Sequence, residues 1–325
     1  MATSVPETID IVFSNIQRIC DRVRELTKGN FVITAFPAGG IAPPLEIMDT
    51  VQQGNVECGH TTSIFYIAKN PAFAFATGVP FGLNSAQQMA WLYGGGGLQL
   101  IQELYTDFNI INFPAGSTGN QMGGWFKRKI QSLSDLRGLK MRMPGLGGEV
   151  LKRLGAEVQV LPPNEILPAL ERNDIDAAEW IGPYDDERLG FNKVAPFYYY
   201  PGWHEPGSTY DLLINQTAWN QLPSEYQQAL EVATYEAYLT MLSQYRAVNR
   251  EALQRLTSSG TELTSYSKEI LDGAQQATFE FYEEFAGKDS SFRKVYSQWN
   301  TFREGIYQWD SVNERSFAEF AFPDS

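Results

Sequence analysis

Between residues 140 and 205 the chain gathers the side chains best suited to holding a small anion. Arg142 ends the short alternating segment Lys140-Met141-Arg142, just before the turn residues Pro144 and Gly145. An arginine at the carboxyl end of a strand faces the crevice where open α/β sheets take their ligands. Its planar guanidinium can meet a carboxylate with two parallel N–H···O bonds, a contact that lysine makes poorly. The apolar run 175–181 carries Glu179 and Trp180 at its far end, and Trp203-His204-Glu205 follows the tyrosine-rich segment Tyr198-Tyr199-Tyr200. Burying an ion pair costs several kcal/mol per ion in lost hydration, so such a site needs further compensation around it.

The elements that must position these residues alternate between strand and helix. After Arg142 the pattern gives a helix over 148–155, a strand over 158–161, a helix over 165–173 and the run 175–181, then a loop rich in Gly, Pro and acid over 182–188. Upstream, Ile9, Val12, Phe13, Ile16, Ile19 and Val23 recur at helical spacing and predict a helix over 6–27. A strand over 31–36, a short helix over 45–53 and a strand over 56–61 complete a βαβ rhythm, the signature of a parallel sheet. Helices over 85–93 and 98–106 lead to a strand over 109–115 that should cross to a second lobe, and 208–215 reads as the strand that returns. Several crossings without a Pro/Ser-rich linker predict a hinged α/β clamshell with interleaved lobes. The first α/β lobe is expected over 1–115 plus 208–260 and the second over 116–207. Residues 261–325 should pack across both as C-terminal helices, after a long helical stretch over 223–257 and a short strand near 262–266. The helix over 290–312 is studded with Phe, Tyr and Trp, an aromatic stripe that either packs back on the lobes or meets a partner.

Composition narrows the function classes. A formal charge of −13 with no Lys/Arg stripe argues against nucleic acid. No run of about 18 apolar residues is present to span a membrane. Gly94-Gly95-Gly96-Gly97 lacks the GK[ST] ending of a phosphate loop and reads as a turn. Cys20 and Cys58 sit in apolar patterns as free thiols, and with His60 and His204 they form no zinc spacing. The glycine-rich loop over 116–124 reads as a surface turn by composition, and Asp185-Asp186-Glu187 as a solvated acidic loop. Phe65 and Tyr66 follow the strand over 56–61 and read equally as packing aromatics or ligand contacts; Tyr66 has the hydroxyl that could answer a carboxylate or keto oxygen.

Several runs together carry a family resemblance: Glu57-Cys58-Gly59-His60-Thr61, the loop and strand around Gln121, Gly124 and Trp125, the segment 136–144, the run from Ile175 through Glu179-Trp180-Ile181-Gly182-Pro183-Tyr184-Asp185-Asp186, and Tyr198-Tyr199-Tyr200-Pro201-Gly202-Trp203. Over nearly its whole length the chain resembles the solute-binding proteins of tripartite ATP-independent periplasmic (TRAP) transporters, in the branch that binds 2-oxo-acids such as pyruvate, or lactate, with a metal ion. The resemblance implies a periplasmic-binding-protein-like fold, a periplasmic location, delivery to TRAP membrane permease subunits, and a homodimer formed through a C-terminal helix. It implies that the chain begins inside its first strand, no secretory signal being legible in Met1-Ala2-Thr3-Ser4-Val5-Pro6. It also implies a site: Arg142 on the ligand carboxylate, and Gln121 lining the pocket with its amide oxygen on the cation. Glu205 is the implied metal carboxylate, with Glu179 as the competing candidate. The Trp180 carbonyl is a further ligand and its ring walls the apolar end. An all-oxygen set of this kind suits sodium or calcium. Many relatives carry Trp where this chain has His204, which is expected to pack at the cleft edge.

Two function classes follow. One is a non-catalytic receptor that closes over a metal-bound 2-oxo-monocarboxylate, pyruvate foremost, with lactate or another small carboxylate as alternatives. The other is a lyase or aldolase using the same cation as Lewis acid. The sequence offers the enzyme reading no Ser-His-Asp spacing and no lysine that can be placed in the cleft for a Schiff base.

Overall fold

The computed structural model describes residues 1–322. Among the described residues ten strands form two sheets: β1 Ala2–Thr3, β2 Cys58–Thr61, β3 Ile110–Gly119, β4 Gly124–Phe126, β5 Lys140–Arg142, β6 Glu157–Gln159, β7 Ala177–Ala178, β8 Phe197–Tyr200, β9 Ser208–Asn215 and β10 Glu262–Ser265. The first sheet has the order β1-β2-β9-β3 and the second β10-β8-β4-β7-β5-β6. The chain leaves the first sheet at the end of β3, builds the second, and returns through β9, which pairs antiparallel with β3 along its length. The two-lobed, interleaved α/β reading therefore holds.

The first lobe departs from an all-parallel sheet. β1 and β2 run parallel, but the returning β9 lies between β2 and β3 and runs antiparallel to both. The βαβ rhythm covers only the first sixty or so residues and carries no information on where a strand a hundred and fifty residues later will insert. The strand predicted over 31–36 shrinks to a single bridge, Ala2 to Phe36, with the Phe36 N–H donating to the Met1 carbonyl at 3.0 Å. β1 presents only two residues, so the ladder stops there. β10 joins the second sheet as an edge strand parallel to β8, so the C-terminal part contributes to that lobe directly.

The expected loop over 182–188 is a helix, Pro183–Leu189, opened by a proline in its first turn and closed by Gly190 at φ 81°. Asp185 and Asp186 are buried within it rather than solvated. Asp186 accepts from the Trp125 indole at 2.8 Å and the Tyr198 hydroxyl at 2.6 Å, which ties this helix to β4 and β8. Glu187 pairs with Arg255 of the helix Ser224–Ser258.

That 35-residue helix packs along β3 and the helix Asp10–Leu26 and also touches Pro183–Leu189, so it spans both lobes. The helix Lys268–Lys288 buries Ile270 and Ala274 against the second lobe, while Phe292, Val295 and Trp299 of the helix Ser290–Val312 are buried against the first. A last helix, Glu314–Ala321, was not legible in the sequence and has no buried residue.

Candidate functional site

Between the lobes lies a cavity of about 30 Å³. The second lobe supplies Arg142, Glu179 and Trp180; the segments flanking the β3/β9 crossing supply Gln121 and Glu205, and β9 itself supplies Tyr210; the first lobe closes it with Thr62, Ile64 and Phe65.

Arg142 is the last residue of β5 and pairs with Ala178 of β7, which brings Glu179 and Trp180 to its side. The Glu179 N–H donates to the Arg142 carbonyl at 3.1 Å and locks the backbones together. The guanidinium is buried, at 2% exposure. Its Nη1 donates to the Glu179 carbonyl at 2.9 Å and to the Glu179 carboxylate, and its Nε donates to the Leu161 carbonyl at 3.3 Å. Its plane lies over the Trp180 ring, 5.1 Å from the centroid. Nη2 makes no hydrogen bond to protein among the described residues, and Arg142 lines the cavity. The two-pronged grip expected from the sequence is thus partly occupied by Glu179, leaving Nη2 for an incoming oxygen.

Glu179 is fully engaged. Its second carboxylate oxygen accepts from His204 Nε2 at 3.0 Å. The same nitrogen lies 3.3 Å from the Gln121 amide oxygen. Both partners are acceptors, so the proton sits on Nε2. His204 is buried against the cavity-lining Glu179 and Gln121 rather than packed at the cleft edge.

Glu205 and Gln121 are placed by close backbone approaches. A Cβ at Gly78 would stand 2.3 Å from the Gly207 carbonyl and 3.0 Å from Glu205 Cγ, and one at Gly202 would stand 2.3 Å from the Gln121 carbonyl. Only glycine lets the 201–207 loop lie against its neighbours this way. Burial pushes the Glu205 carboxyl from 4.5 up to about 8, with the nearby Glu179 carboxylate adding to the effect; the Ser208 hydroxyl, Arg142 and the Gln121 amide pull the other way. One guanidinium meets two carboxyls here, so a bound cation would offset the excess negative charge once Glu205 is ionised. The donors that could hold one are the Glu205 carboxylate, the Gln121 amide oxygen and the Trp180 carbonyl, all oxygens of the kind hard cations take.

Tyr66 lies elsewhere. Its hydroxyl bonds Thr61 Oγ1 at 3.0 Å and accepts from the Met48 N–H at 3.2 Å, inside the first lobe. Its neighbour Phe65 lines the cavity instead, because the two sit on a tight 3₁₀ turn, Ser63–Tyr66, where successive side chains point about a third of a turn apart. Sequence reasoning missed Tyr210, whose ring stacks on His60 with centroids 5.2 Å apart and which lines the cavity beside Ser208. The alternation of Ser208 and Tyr210 on one face of β9, three residues after Glu205, was the available signal. His60 itself is buried with its ring held neutral, burial pulling it down to about 3.

The family model for bacterial extracellular solute-binding protein, family 7 (DctP), matches residues 1–289. The chain belongs to the DctP family. A monocarboxylate 2-oxoacid-binding periplasmic protein of Nostoc sp. is 59% identical over 321 residues, covering 99% of this chain and 88% of the relative. A TRAP transporter solute-binding protein of Bordetella bronchiseptica, solved as a mixed-occupancy dimer with copurified calcium and picolinate in one active site, superposes with a TM-score of 0.97. It is 45% identical, over 99% of this chain and 96% of that one. A TRAP periplasmic solute-binding protein of Colwellia psychrerythraea with bound calcium and pyruvate superposes with a TM-score of 0.95 at 38% identity, over 98% of this chain and 97% of that one. The resemblance read from the sequence is therefore correct at family level, and this DctP-family chain is a solute receptor of the transport class.

Proposed function

We propose that the protein is the extracytoplasmic receptor of a TRAP transporter and captures a small 2-oxo-monocarboxylate, pyruvate foremost, together with a cation. The observation that carries the reading is the meeting of Arg142 and Glu205 with Gln121 and Trp180 around one buried cavity. Arg142 Nη2 takes the carboxylate; Glu205, Gln121 and the Trp180 carbonyl hold the cation, which supplies the positive charge that the site's two carboxyls and the ligand require. With calcium and a monoanion, the charges of Arg142, Glu179, Glu205, cation and ligand sum to zero. With sodium they sum to −1, so calcium neutralises the site better. The relatives support the ligand class: pyruvate and picolinate both set a carboxylate beside a second lone pair, keto oxygen in one and ring nitrogen in the other, so either can close a chelate ring on one ion.

The same reading places the protein in the periplasm and its delivery at TRAP membrane subunits; no helix among the described residues is long and apolar enough to cross a membrane. The same reading makes the protein a receptor that holds its ligand without transforming it. A homodimer is proposed through the C-terminal helices, where the aromatic side chains of Trp309 (59% exposed), Phe317 (67%) and Phe320 (90%) stand in solvent and could meet a partner.

Calorimetric titration of metal-stripped protein with pyruvate, 2-oxobutanoate and lactate, with and without calcium or sodium, tests the reading. Cation-dependent binding of the oxo-acids with the ligand recovered unchanged is expected. Consumption of pyruvate would favour the lyase or aldolase instead, and binding indifferent to cation would overturn the assignment of Glu205 and Gln121.

A further inference from the structure

Part of the cavity wall is an apolar seam between the lobes. The helix Gly145–Arg153 belongs to the second lobe, and its Val150 and Leu151 are buried in that lobe's core. Leu146, one turn earlier, is buried instead in the apolar cluster of the first lobe, at 2% exposure. Beside it Gly145 has φ 67°, and a Cβ there would stand 3.3 Å from Ile64 Cβ. Ile64, Phe65 and Pro144 of this seam also line the cavity. The first-lobe side is held firmly: Ser63, preceding Ile64, is bonded to Asp211 and to the Tyr105 hydroxyl, and its N–H donates to Thr77. Ile64 and Phe65 therefore cannot retreat without breaking a buried polar network.

We infer that the Ile64–Gly145–Leu146 seam couples ligand size to lobe closure and so sets an upper limit on the ligand's side chain. The inference rests on the 2-oxo-acid reading of the site. A ligand whose carboxylate is fixed at Arg142 must turn its side chain to the apolar part of the wall. A methyl group leaves Leu146 seated in the first lobe. A branched side chain holds Ile64 off Gly145 and withdraws Leu146 from its cluster, so binding forfeits that burial. The seam thus selects short, unbranched 2-oxo-acids through closure rather than through direct contact with Leu146.

The test compares pyruvate with 3-methyl-2-oxobutanoate, in saturating calcium, for the wild type, Leu146→Ala and Ile64→Ala. The wild type should prefer pyruvate by roughly 10- to 200-fold, the range expected for a pocket that discriminates added methyl groups. Leu146→Ala should weaken pyruvate about tenfold or more, chiefly through faster dissociation, and shrink the preference by about as much, because the branched acid no longer has this burial to lose. Ile64→Ala should shrink the preference by improving the branched acid. A melting curve for each ligand-free variant establishes that it is folded. An unchanged preference in both folded variants, with pyruvate still bound by the wild type, overturns the seam alone. Failure of the wild type to bind any 2-oxo-acid overturns the ligand reading and the seam's selectivity with it.

Discussion

Replacing Glu205 by Gln should separate binding from stability in opposite directions. The carboxyl is buried and moved from 4.5 to about 8 in the ligand-free protein. Folding therefore favours its protonated form: between these two values the folded chain holds a proton that the unfolded chain has released, and stability falls as pH rises. By pH 8 the accumulated cost is about 4 kcal/mol, at about 1.4 kcal/mol for each tenfold change in proton affinity. Glutamine keeps the shape and an acceptor oxygen for Ser208 while removing the titration. For a chain of 325 residues that gain corresponds to a rise in melting temperature of about 6 °C. Glu205→Gln and wild type should thus melt together near pH 4.5 and diverge up to pH 8, the variant being the more stable. Calcium with pyruvate should stabilise the wild type and leave the variant unmoved, since the variant lacks the carboxylate that holds the ion. Differential scanning calorimetry across this pH range, with and without ligand, reads both effects. A variant less stable than wild type at pH 8, or one that keeps cation-dependent pyruvate binding, would refute the placement of this carboxyl as a cation ligand held at the cost of stability.

Arg142→Lys should lose pyruvate affinity by about 30-fold or more, as expected when a planar fork gives way to a point charge at a buried ion pair, while circular dichroism still reports the folded chain; unaltered affinity by calorimetry would refute the role of Nη2. Burial also pushes Asp185, Asp186 and Asp211 up to about 7 each. Each is expected to remove stability as pH rises from about 4 through 7, so Asp211→Asn should flatten the melting profile over that interval, and a wild-type profile that climbs instead would contradict the buried, protonated state. Substituting Trp309 and Phe317 by Glu should convert the proposed dimer to monomer in sedimentation velocity with pyruvate binding retained, and a dimer that survives would move the interface elsewhere.

The parts of this chain that were legible were those whose local pattern decides their structure. The strand over 208–215 and the helix over 290–312 match the observed Ser208–Asn215 and Ser290–Val312, because a short apolar run bounded by polar residues and helical spacing are both set within a few residues. Arg142 reached the cleft because the end of a strand before Pro-Gly has few other places to go. What failed was decided by distant partners. Asp185 and Asp186 look like surface acids until Trp125 and Tyr198 arrive from two other strands to answer Asp186. The choice between Phe65 and Tyr66 depends on one step around a 3₁₀ turn, to which no sequence period points. The insertion of β9 between β2 and β3 was invisible for the same reason: strand order is a property of the assembled sheet.

The pairing of β3 with β9 has a bearing on the order of capture. Their final rung joins Gly119 to Ser208, with Gln121 two residues beyond it on one side and Glu205 three residues before it on the other. The two side-chain oxygen donors are therefore anchored just past the end of one hydrogen-bonded ribbon, whereas Arg142 and Trp180 belong to the second lobe. A gaping receptor would still offer an ion its side-chain seat, and would complete the grip on the acid only as the guanidinium comes home.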